Sequence, residues 1–128
     1  MAGSAIEGLL LTALAAAELA LFVETRAGAV PDLVATMGML EVPSGSINVV
    51  PGRCKFSLDI RATTNEVRDA CIADVRAELA RICEQRGLHF KLEETVRAAA
   101  APSDPAWMQR WECAVQALGL PLFHMPSG

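Results

Sequence analysis

The sequence predicts an α+β fold, specifically a ferredoxin-like two-layer sandwich that lacks its first strand. Residues 54–61 (CKFSLDIR) and 88–96 (LHFKLEETV) alternate apolar and polar side chains, which is the period of a strand with one buried face. Between them, residues 67–82 carry apolar side chains at helical spacing. Elements of this kind pack with the helices on one side of an antiparallel sheet.

The first predicted element is a helix from Ile6 to Arg26. The segment is rich in Leu and Ala, it has few β-branched residues, and Gly28 stands where such a helix would end. The apolar run within it, Leu9 to Val23, is interrupted by Glu18 and is shorter than the roughly 20 residues that a membrane span needs, so we expect no membrane segment. The apolar residues run almost all round the helix, which predicts burial on more than one side; they include Leu9, Leu10, Leu14, Leu19, Leu21 and Phe22.

A hairpin with a wide tip follows the first helix. One strand is predicted over residues 33–42, and the segment Pro43 to Gly45 breaks it. Extended structure is expected to resume over residues 47–50, and Pro51-Gly52 has the residues of a type II turn. In the next strand, residues 54–61, the alternation puts Arg61 on the polar face together with Lys55, Ser57 and Asp59.

The second helix is predicted to begin at Thr63, which forms a capping-box pattern with Glu66, and to end at Gly87. Its apolar stripe comprises Val67, Cys71, Val75, Leu79 and Ile82. With the strand over residues 88–96, the predicted order is helix, strand, strand, helix, strand. A short amphipathic helix from Trp107 to Leu118 then follows a linker-like segment.

Composition and charge narrow the possible partners. The 128 residues are 52% hydrophobic, which is enough for one core, and the net charge of -4 without a basic cluster predicts no nucleic-acid binding. A mean hydropathy of +0.32 is high for a lone small domain, so some apolar surface is expected to meet a partner. The four cysteines lack both paired and zinc spacing and are expected to be reduced core residues, which favours the cytoplasm; they are Cys54, Cys71, Cys83 and Cys113.

The residues with acid–base or metal chemistry do not form a convincing catalytic group. His89 falls on the polar face of a strand and is expected to be a surface residue, and His124 has no partner at ligand spacing. Glu93 and Glu94 are adjacent in a strand and so point to opposite faces, which argues against a shared proton. No catalytic residue and no metal ligand is therefore predicted within this sequence.

Asn48 and Arg61 are the better candidates for binding. A carboxamide offers both a donor and an acceptor, and a guanidinium offers a planar fork that suits a carboxylate, so the two side chains together are suited to hold an amino-acid-like anion. The alternative is structural: Asn48 supports its own turn, and Arg61 pairs with Asp59 or Glu66. Their spacing in the sequence leaves both interpretations open.

Residues 36–62, TMGMLEVPSGSINVVPGRCKFSLDIRA, resemble the amidase/hydantoinase/carbamoylase family of binuclear metal hydrolases. The family includes N-carbamoyl-amino-acid hydrolases, β-ureidopropionase-type enzymes and allantoate amidohydrolases. Its members commonly carry T-V-G-x-L-E-V, then I-N-V-I-P-G-R, then F-S-L-D-I-R, and each segment is present here with small changes. Later stretches are similar as well, namely Arg68-Asp69, the segment Pro102 to Pro105, and the final Pro126-Ser127-Gly128.

The resemblance implies a division of the chain into parts of a larger enzyme. Residues 1–97 would form a lid and dimerisation domain, residues 98–105 a linker, and residues 106–128 the start of the C-terminal part of a catalytic domain. The missing first strand and the interrupted final motif would then be boundaries of a fragment. A homodimer is implied, together with hydrolysis of C–N bonds in N-carbamoyl amino acids or ureido acids. Two divalent ions of the zinc or manganese class are also implied, held by residues outside this sequence.

The resemblance also implies roles for three residues. Asn48 and Arg61 would reach the substrate's carboxylate when the lid closes, and Gly52 would shape the neighbouring backbone. The lid histidine of the family's H-A-G-T-T-P-M segment has no counterpart here, so this chain alone is expected to be inactive. The alternative function is a stand-alone ferredoxin-like dimeric module that binds a small carboxylate.

Overall fold

The structure of the chain, a computed structural model, describes residues 1–10 and 13–125, with the backbone alone for residues 7–10. Within these residues it is an α+β arrangement of one sheet and helices, as the sequence predicts. The elements are β1 (Ala2–Leu10), α1 (Ala13–Gly28), β2 (Val34–Glu41), β3 (Cys54–Ala62), α2 (Asn65–Arg86), β4 (Phe90–Ala98) and α3 (Pro105–Ala117).

The prediction that the first strand is missing is wrong, because β1 lies at the centre of the sheet. The strand order is β2-β3-β1-β4, and β1 runs antiparallel to both β3 and β4. Ala2, Ser4 and Ile6 of β1 are buried. The segment nevertheless consists mainly of small residues with low strand propensity, so the hydrogen-bond ladders on both of its sides hold it in the sheet.

The first helix is consequently shorter than predicted. Among the described residues α1 begins at Ala13, so the first residues assigned to a helix belong to β1 instead, while the end at Gly28 is confirmed. The helix is also not buried all round. Leu19 is fully buried against the sheet, whereas Leu14 and Leu21 are exposed on the opposite side.

The core lies between the sheet and the two helices that pack on one of its faces, α1 and α2. The alternation predicted for β3 is confirmed, since every second residue of this strand faces the helices and is at most 1% exposed. These residues are Cys54, Phe56, Leu58, Ile60 and Ala62. The stripe of α2 packs against them, with Cys71, Val75, Leu79 and Ile82 fully buried. On the other face of the sheet, here called the open face, no helix packs within the described residues.

Both ends of α2 are fixed by local hydrogen bonds, and one of them differs from the prediction. The N-cap is Thr64 rather than Thr63: its hydroxyl accepts a hydrogen bond from the backbone N–H of Val67 at 3.3 Å. The helix ends at Gly87, as predicted. Gly87 has a φ of 62°, a left-handed conformation that glycine adopts without steric cost, and its N–H bonds to the carbonyl of Glu84.

The end of β4 is tied to the first turn of α2. Arg68 is only 2% exposed, and its guanidinium donates to the backbone carbonyl of Ala98 and contacts the carboxylate of Asp69 at 2.8 Å. The side chain of Asn65 accepts a hydrogen bond from the N–H of Ala100 at 3.0 Å. A buried guanidinium requires such partners, so these contacts fix the path of the chain where it leaves the sheet.

A segment without regular structure, residues 101–104, joins this anchored point to α3. The carboxylate of Asp104 caps α3 by accepting hydrogen bonds from the N–H groups of Ala106 and Trp107. None of the residues of α3, all of which the structure describes, is buried. The amphipathic helix expected at residues 107–118 is therefore present, but its apolar side chains are uncovered.

A charged network connects β1, β4 and α2 on the helix side of the sheet. Glu94 of β4 accepts a hydrogen bond from the hydroxyl of Ser4 at 2.8 Å and pairs with Arg97 at 2.7 Å, and Arg97 also reaches Asp69 at 3.1 Å. The hydrogen bond from Arg97, and after it that from Ser4, lowers the pKa of Glu94 below its ordinary value.

The free energy of unfolding should therefore depend on pH through Glu94. Because its pKa is lower in the folded chain, the ionised form contributes stability above the ordinary value of 4.5, and this contribution is lost as the pH falls below that value. We expect Glu94→Gln to destabilise the chain at pH 7 and to destabilise it less at pH 3, measured by urea unfolding. Arg97→Gln removes the main cause of the shift and should reduce the same pH dependence. Equal destabilisation by Glu94→Gln at both pH values would contradict this role.

Candidate functional site

Arg61 lies on the open face at the C-terminal end of β3. It stands opposite Gly3 of β1 and Val34 of β2 in the register of the sheet. Its Nε donates to Oδ2 of Asp59 at 2.7 Å, and the Arg61 side chain is 46% exposed. The pairing with Asp59 that the structural alternative predicted is therefore present, while a contact with Glu66 is not seen among the described residues.

A shallow recess of about 170 Å³ lies beside Arg61. It is lined by Met1, Ala2, Gly3, Arg61 and Ala98, so small residues of β1 and β4 form its floor. Within the described part of the chain, Nη1 and Nη2 of Arg61 make no hydrogen bond, in contrast to its Nε. The guanidinium therefore offers two N–H-bearing nitrogens on one edge, the arrangement that a carboxylate binds in a bidentate manner.

Asn48 lies in a tight turn at the tip of the hairpin between β2 and β3. Ser46 and Val49 form a bridge, and Ile47 and Asn48 are the turn residues between them, so the extended structure predicted for residues 47–50 is wrong. The Ser46 hydroxyl donates to Oδ1 of Asn48 at 3.0 Å. Asn48 thus supports its own turn, as the structural alternative predicted, and its amide NH₂ group points to no partner among the described residues.

The structure does not bring Asn48 and Arg61 together within one chain. Pairing of β2 with β3 stops at Glu41 and Lys55, so the hairpin tip lies beyond one end of β3. Arg61 is seven residues past Cys54 along an extended strand, a distance of about 23 Å. Residues 44–50 of the tip are all exposed, so their side chains do not pack on the sheet. One small anion therefore does not contact both side chains of the same chain.

Gly52 lies beside the tip, at a position where a larger residue would also fit. A type II turn at Pro51-Gly52 requires a positive φ at the glycine, and Gly52 is not among the residues with positive φ, so that turn prediction is wrong. A Cβ at Gly52 would meet no atom within 4 Å. The left-handed residue of this loop is Ser44, with a φ of 57°, within the Pro43 to Gly45 break that was predicted correctly.

A second surface feature is an exposed apolar edge of the sheet. The high mean hydropathy indicated that such a surface exists, but the residues that form it were not predicted. A groove of about 480 Å³ lies between α1 and β2, with Leu21, Val23 and Met37 in its lining. The exposed apolar residues along this edge, here called the β2 edge, are Leu14, Leu21, Val34, Met39 and Leu40. The opposite edge strand, β4, also exposes the apolar side chains of Phe90 and Val96, but it carries the charged Lys91 and Glu93 beside them. Charged side chains disfavour pairing of an edge strand, so β2 is the better candidate for a partner surface.

The family comparison agrees with this surface. Residues 2–87 match a family model described as a peptidase dimerisation domain. The chain belongs to this family. The N-carbamoyl-L-amino acid amidohydrolase of Geobacillus stearothermophilus is 33% identical over 114 residues, which cover 89% of this chain and 28% of that protein. The allantoate deiminase of Arabidopsis thaliana is 31% identical over 84 residues, 66% of this chain and 16% of that protein.

A solved structure supports the same assignment of this dimerisation domain. An amidase of the hydantoinase/carbamoylase family from Burkholderia multivorans matches with a TM-score of 0.90 at 26% identity, covering 94% of this chain and 33% of that chain. The family resemblance stated from residues 36–62 is therefore confirmed. The chain spans about a third or less of the length of these relatives.

The titratable residues that the structure describes form no further site. His89 is exposed, as predicted, and His124 lies 3.4 Å from Glu112 on α3. Glu93 and Glu94 pair with consecutive residues of β1 and so face opposite sides of the sheet, which confirms that prediction. Among the described residues, no three His, Cys, Asp or Glu side chains are grouped so that they fit a metal ion.

Three of the four cysteines of the chain are buried. Burial raises the pKa of the Cys54, Cys71 and Cys83 thiols, which keeps them protonated and unreactive at neutral pH. Cys113 is exposed on α3, so the prediction of a core position is wrong for this residue. The cytoplasmic location inferred from the cysteines stays a prediction. No helix within residues 1–10 and 13–125 is both long and apolar enough to cross a bilayer.

Proposed function

We propose that the chain is the lid and dimerisation part of a longer hydrolase that cleaves C–N bonds of N-carbamoyl amino acids or ureido acids. The observation that carries this proposal is the open guanidinium edge of Arg61, in a chain related over 89% of its length to an N-carbamoyl-L-amino acid amidohydrolase. Such substrates carry a carboxylate, which is the group that this edge binds.

The proposed parts keep the division inferred from the sequence. Residues 1–97 form the lid and dimerisation domain, residues 98–105 the linker, and residues 106–128 the start of the C-terminal part of the catalytic domain. The uncovered apolar side chains of α3, among them Trp107 and Trp111, support this division because a helix of that kind requires a partner surface. The triplet Pro126-Ser127-Gly128 lies outside the described residues.

A homodimer through the β2 edge is part of the proposal. Two copies related by a two-fold axis can pair their β2 strands antiparallel and cover the grooves between α1 and β2. The exposed apolar residues of this edge support that arrangement, since Leu21 and Leu40 would leave water on association.

The dimer gives Asn48 and Arg61 a common location that one chain does not. Arg61 lies at the end of the sheet where β2 begins, and the hairpin tip lies at the end where β2 stops. Because paired β2 strands run antiparallel, the tip of one copy lies at the same end of the joined sheet as Arg61 of the other. We therefore assign the two substrate contacts to different copies, with Gly52 shaping the backbone next to the tip.

The chemistry of bond cleavage belongs to other residues of the parent. Two divalent ions of the zinc or manganese class would polarise the substrate carbonyl and supply an activated water there. The residues of this chain contribute binding and orientation: Arg61 and Asn48 hold the carboxylate. We expect the chain alone to hydrolyse nothing.

A second candidate function is a stand-alone dimeric module that binds a small carboxylate. The open edge of Arg61 favours it as well, because this group is present in the chain itself. The two functions differ in whether the binding site needs the parent's catalytic domain. An upstream series of metal ligands in the same reading frame would favour the parent enzyme.

The assembly is tested by the mass of the chain in solution. We expect light scattering to give a dimer for the chain and a monomer for the double variant Leu21→Lys, Leu40→Lys, because charges on the β2 edge are desolvated on pairing. Val96→Lys places the same charge on the opposite edge strand and should leave the dimer intact. A monomeric wild-type chain at high concentration would contradict the interface.

The carboxylate contacts are tested by kinetics of the parent enzyme. Charge-assisted hydrogen bonds contribute about 1.5 to 3 kcal/mol, so Arg61→Ala should lower kcat/KM roughly 10- to 150-fold, and Asn48→Ala should lower it less. Unchanged kinetics in both variants would remove these residues from the site.

Mixing the two variants tests which copies supply the contacts. If each site takes Arg61 from one copy and Asn48 from the other, a hybrid dimer of Arg61→Ala and Asn48→Ala chains contains one intact site. After random exchange of subunits, about a quarter of all sites should regain wild-type kinetics. No gain on mixing, with hybrid dimers shown by mass spectrometry, would place both contacts on one copy.

The alternative function is tested by calorimetry on the chain alone with an N-carbamoyl amino acid. Because the parent's remaining contacts are absent, we expect binding weaker than about 1 mM. Saturable micromolar binding that Arg61→Ala abolishes would instead favour the stand-alone module.

A further inference from the structure

Arg61 and Asp59 form an oriented pair on the open face. Residues two apart in a strand point to the same side, and Oδ2 of Asp59 accepts from Nε of Arg61 at 2.7 Å. Both side chains are close to half exposed, at 46% and 41%. An ion pair with this exposure contributes little to folding stability. Its main effect is to fix the direction in which the guanidinium of Arg61 points.

The contact engages only one edge of the guanidinium. Asp59 accepts from Nε. Among the described residues no acceptor binds Nη1 or Nη2, so that edge keeps its donors for a ligand. Arg81 shows the contrasting case, because its Nε, Nη1 and Nη2 all donate to neighbouring side chains. The guanidinium of Arg81 therefore has no edge left for a ligand, whereas that of Arg61 has one.

Arg61 is one of the residues that line the recess at the end of the sheet. Gly3 and Ala98 line this recess and stand in the same row across the sheet as Arg61. A Cβ at Gly3 would meet no atom within 4 Å, so the recess is open to solvent. A carboxylate can therefore approach the guanidinium from this side without displacing Asp59.

We propose that Asp59 is a positioning residue that acts through Arg61, holding the guanidinium so that its terminal nitrogens face an incoming substrate carboxylate. The inference rests on the proposed carboxylate-binding function of Arg61. An unrestrained arginine loses rotamer freedom when it binds, and Asp59 removes part of that loss in advance. The negative charge of Asp59 also repels the substrate's carboxylate. Positioning of Arg61 therefore strengthens substrate binding, while the charge of Asp59 weakens it, so the two effects have opposite signs.

The opposite signs make the proposal testable by steady-state kinetics of the full-length parent enzyme with an N-carbamoyl amino acid. Asp59→Asn keeps the accepting oxygen and removes the charge, while Asp59→Ala removes both. We expect Asp59→Ala to raise KM about 3- to 10-fold with kcat nearly unchanged, and Asp59→Asn to restore KM to within about twofold of the wild type. Glu93→Ala removes a charge from the same sheet face without touching Arg61 and serves as the matched control.

The outcomes separate this inference from the proposed function. A lower KM in both Asp59 variants would show that Asp59 only competes with the substrate, and would overturn the inference. An unchanged KM in Asp59→Ala would overturn it too, provided that Arg61→Lys raises KM and so upholds carboxylate binding by Arg61. If Arg61→Lys leaves KM unchanged, the carboxylate-binding function itself fails and the role of Asp59 fails with it.

Discussion

The rest of the fold depends on the placement of β1 between β3 and β4. A strand in this position completes the ladder of both neighbours and leaves β2 and β4 as the two edges. It also puts both helices on the same face, because each connects parallel strands that have one antiparallel strand between them. Without β1 there would be neither a continuous core nor an open face, and Arg61 would have no recess beside it.

The elements that were predicted from the sequence are those whose side chains repeat with a clear period. β3 and α2 carry large apolar residues at the spacing of a strand and of a helix, and both were predicted within a few residues. β1 was missed because small residues such as Ala2 and Ser4 give no strong pattern, and its stability comes from backbone pairing on two sides. The N-cap of α2 was predicted one residue too early because Thr63 and Thr64 carry the same side chain, and the sequence does not show which of them caps the helix.

The residues of the candidate site were proposed from the sequence and stay a prediction, whereas their relative positions were not predicted. Asn48 and Arg61 are close in the sequence, and the resemblance to known hydrolases places them in one function. The sequence does not reveal that an extended strand separates them. An alternating pattern shows which face of the sheet a side chain lies on, but not how far it is from the hairpin tip. The contact between Asp59 and Arg61 was open at the sequence level because i, i+2 neighbours on one strand face meet only in some rotamers. The β2 edge was indicated by hydropathy alone, which has no positional information.

The anchoring of Ala98 and Ala100 by Arg68 and Asn65 limits how the sheet layer can turn relative to α3. The tether between these fixed points and the capped start of α3 is residues 101–103, which span at most about 11 Å even when extended. Pro102 further restricts the backbone within that tether. If residues 1–97 act as the proposed lid, a short segment with a restricted backbone connects that lid to α3, so this segment limits how far the two parts can turn relative to each other.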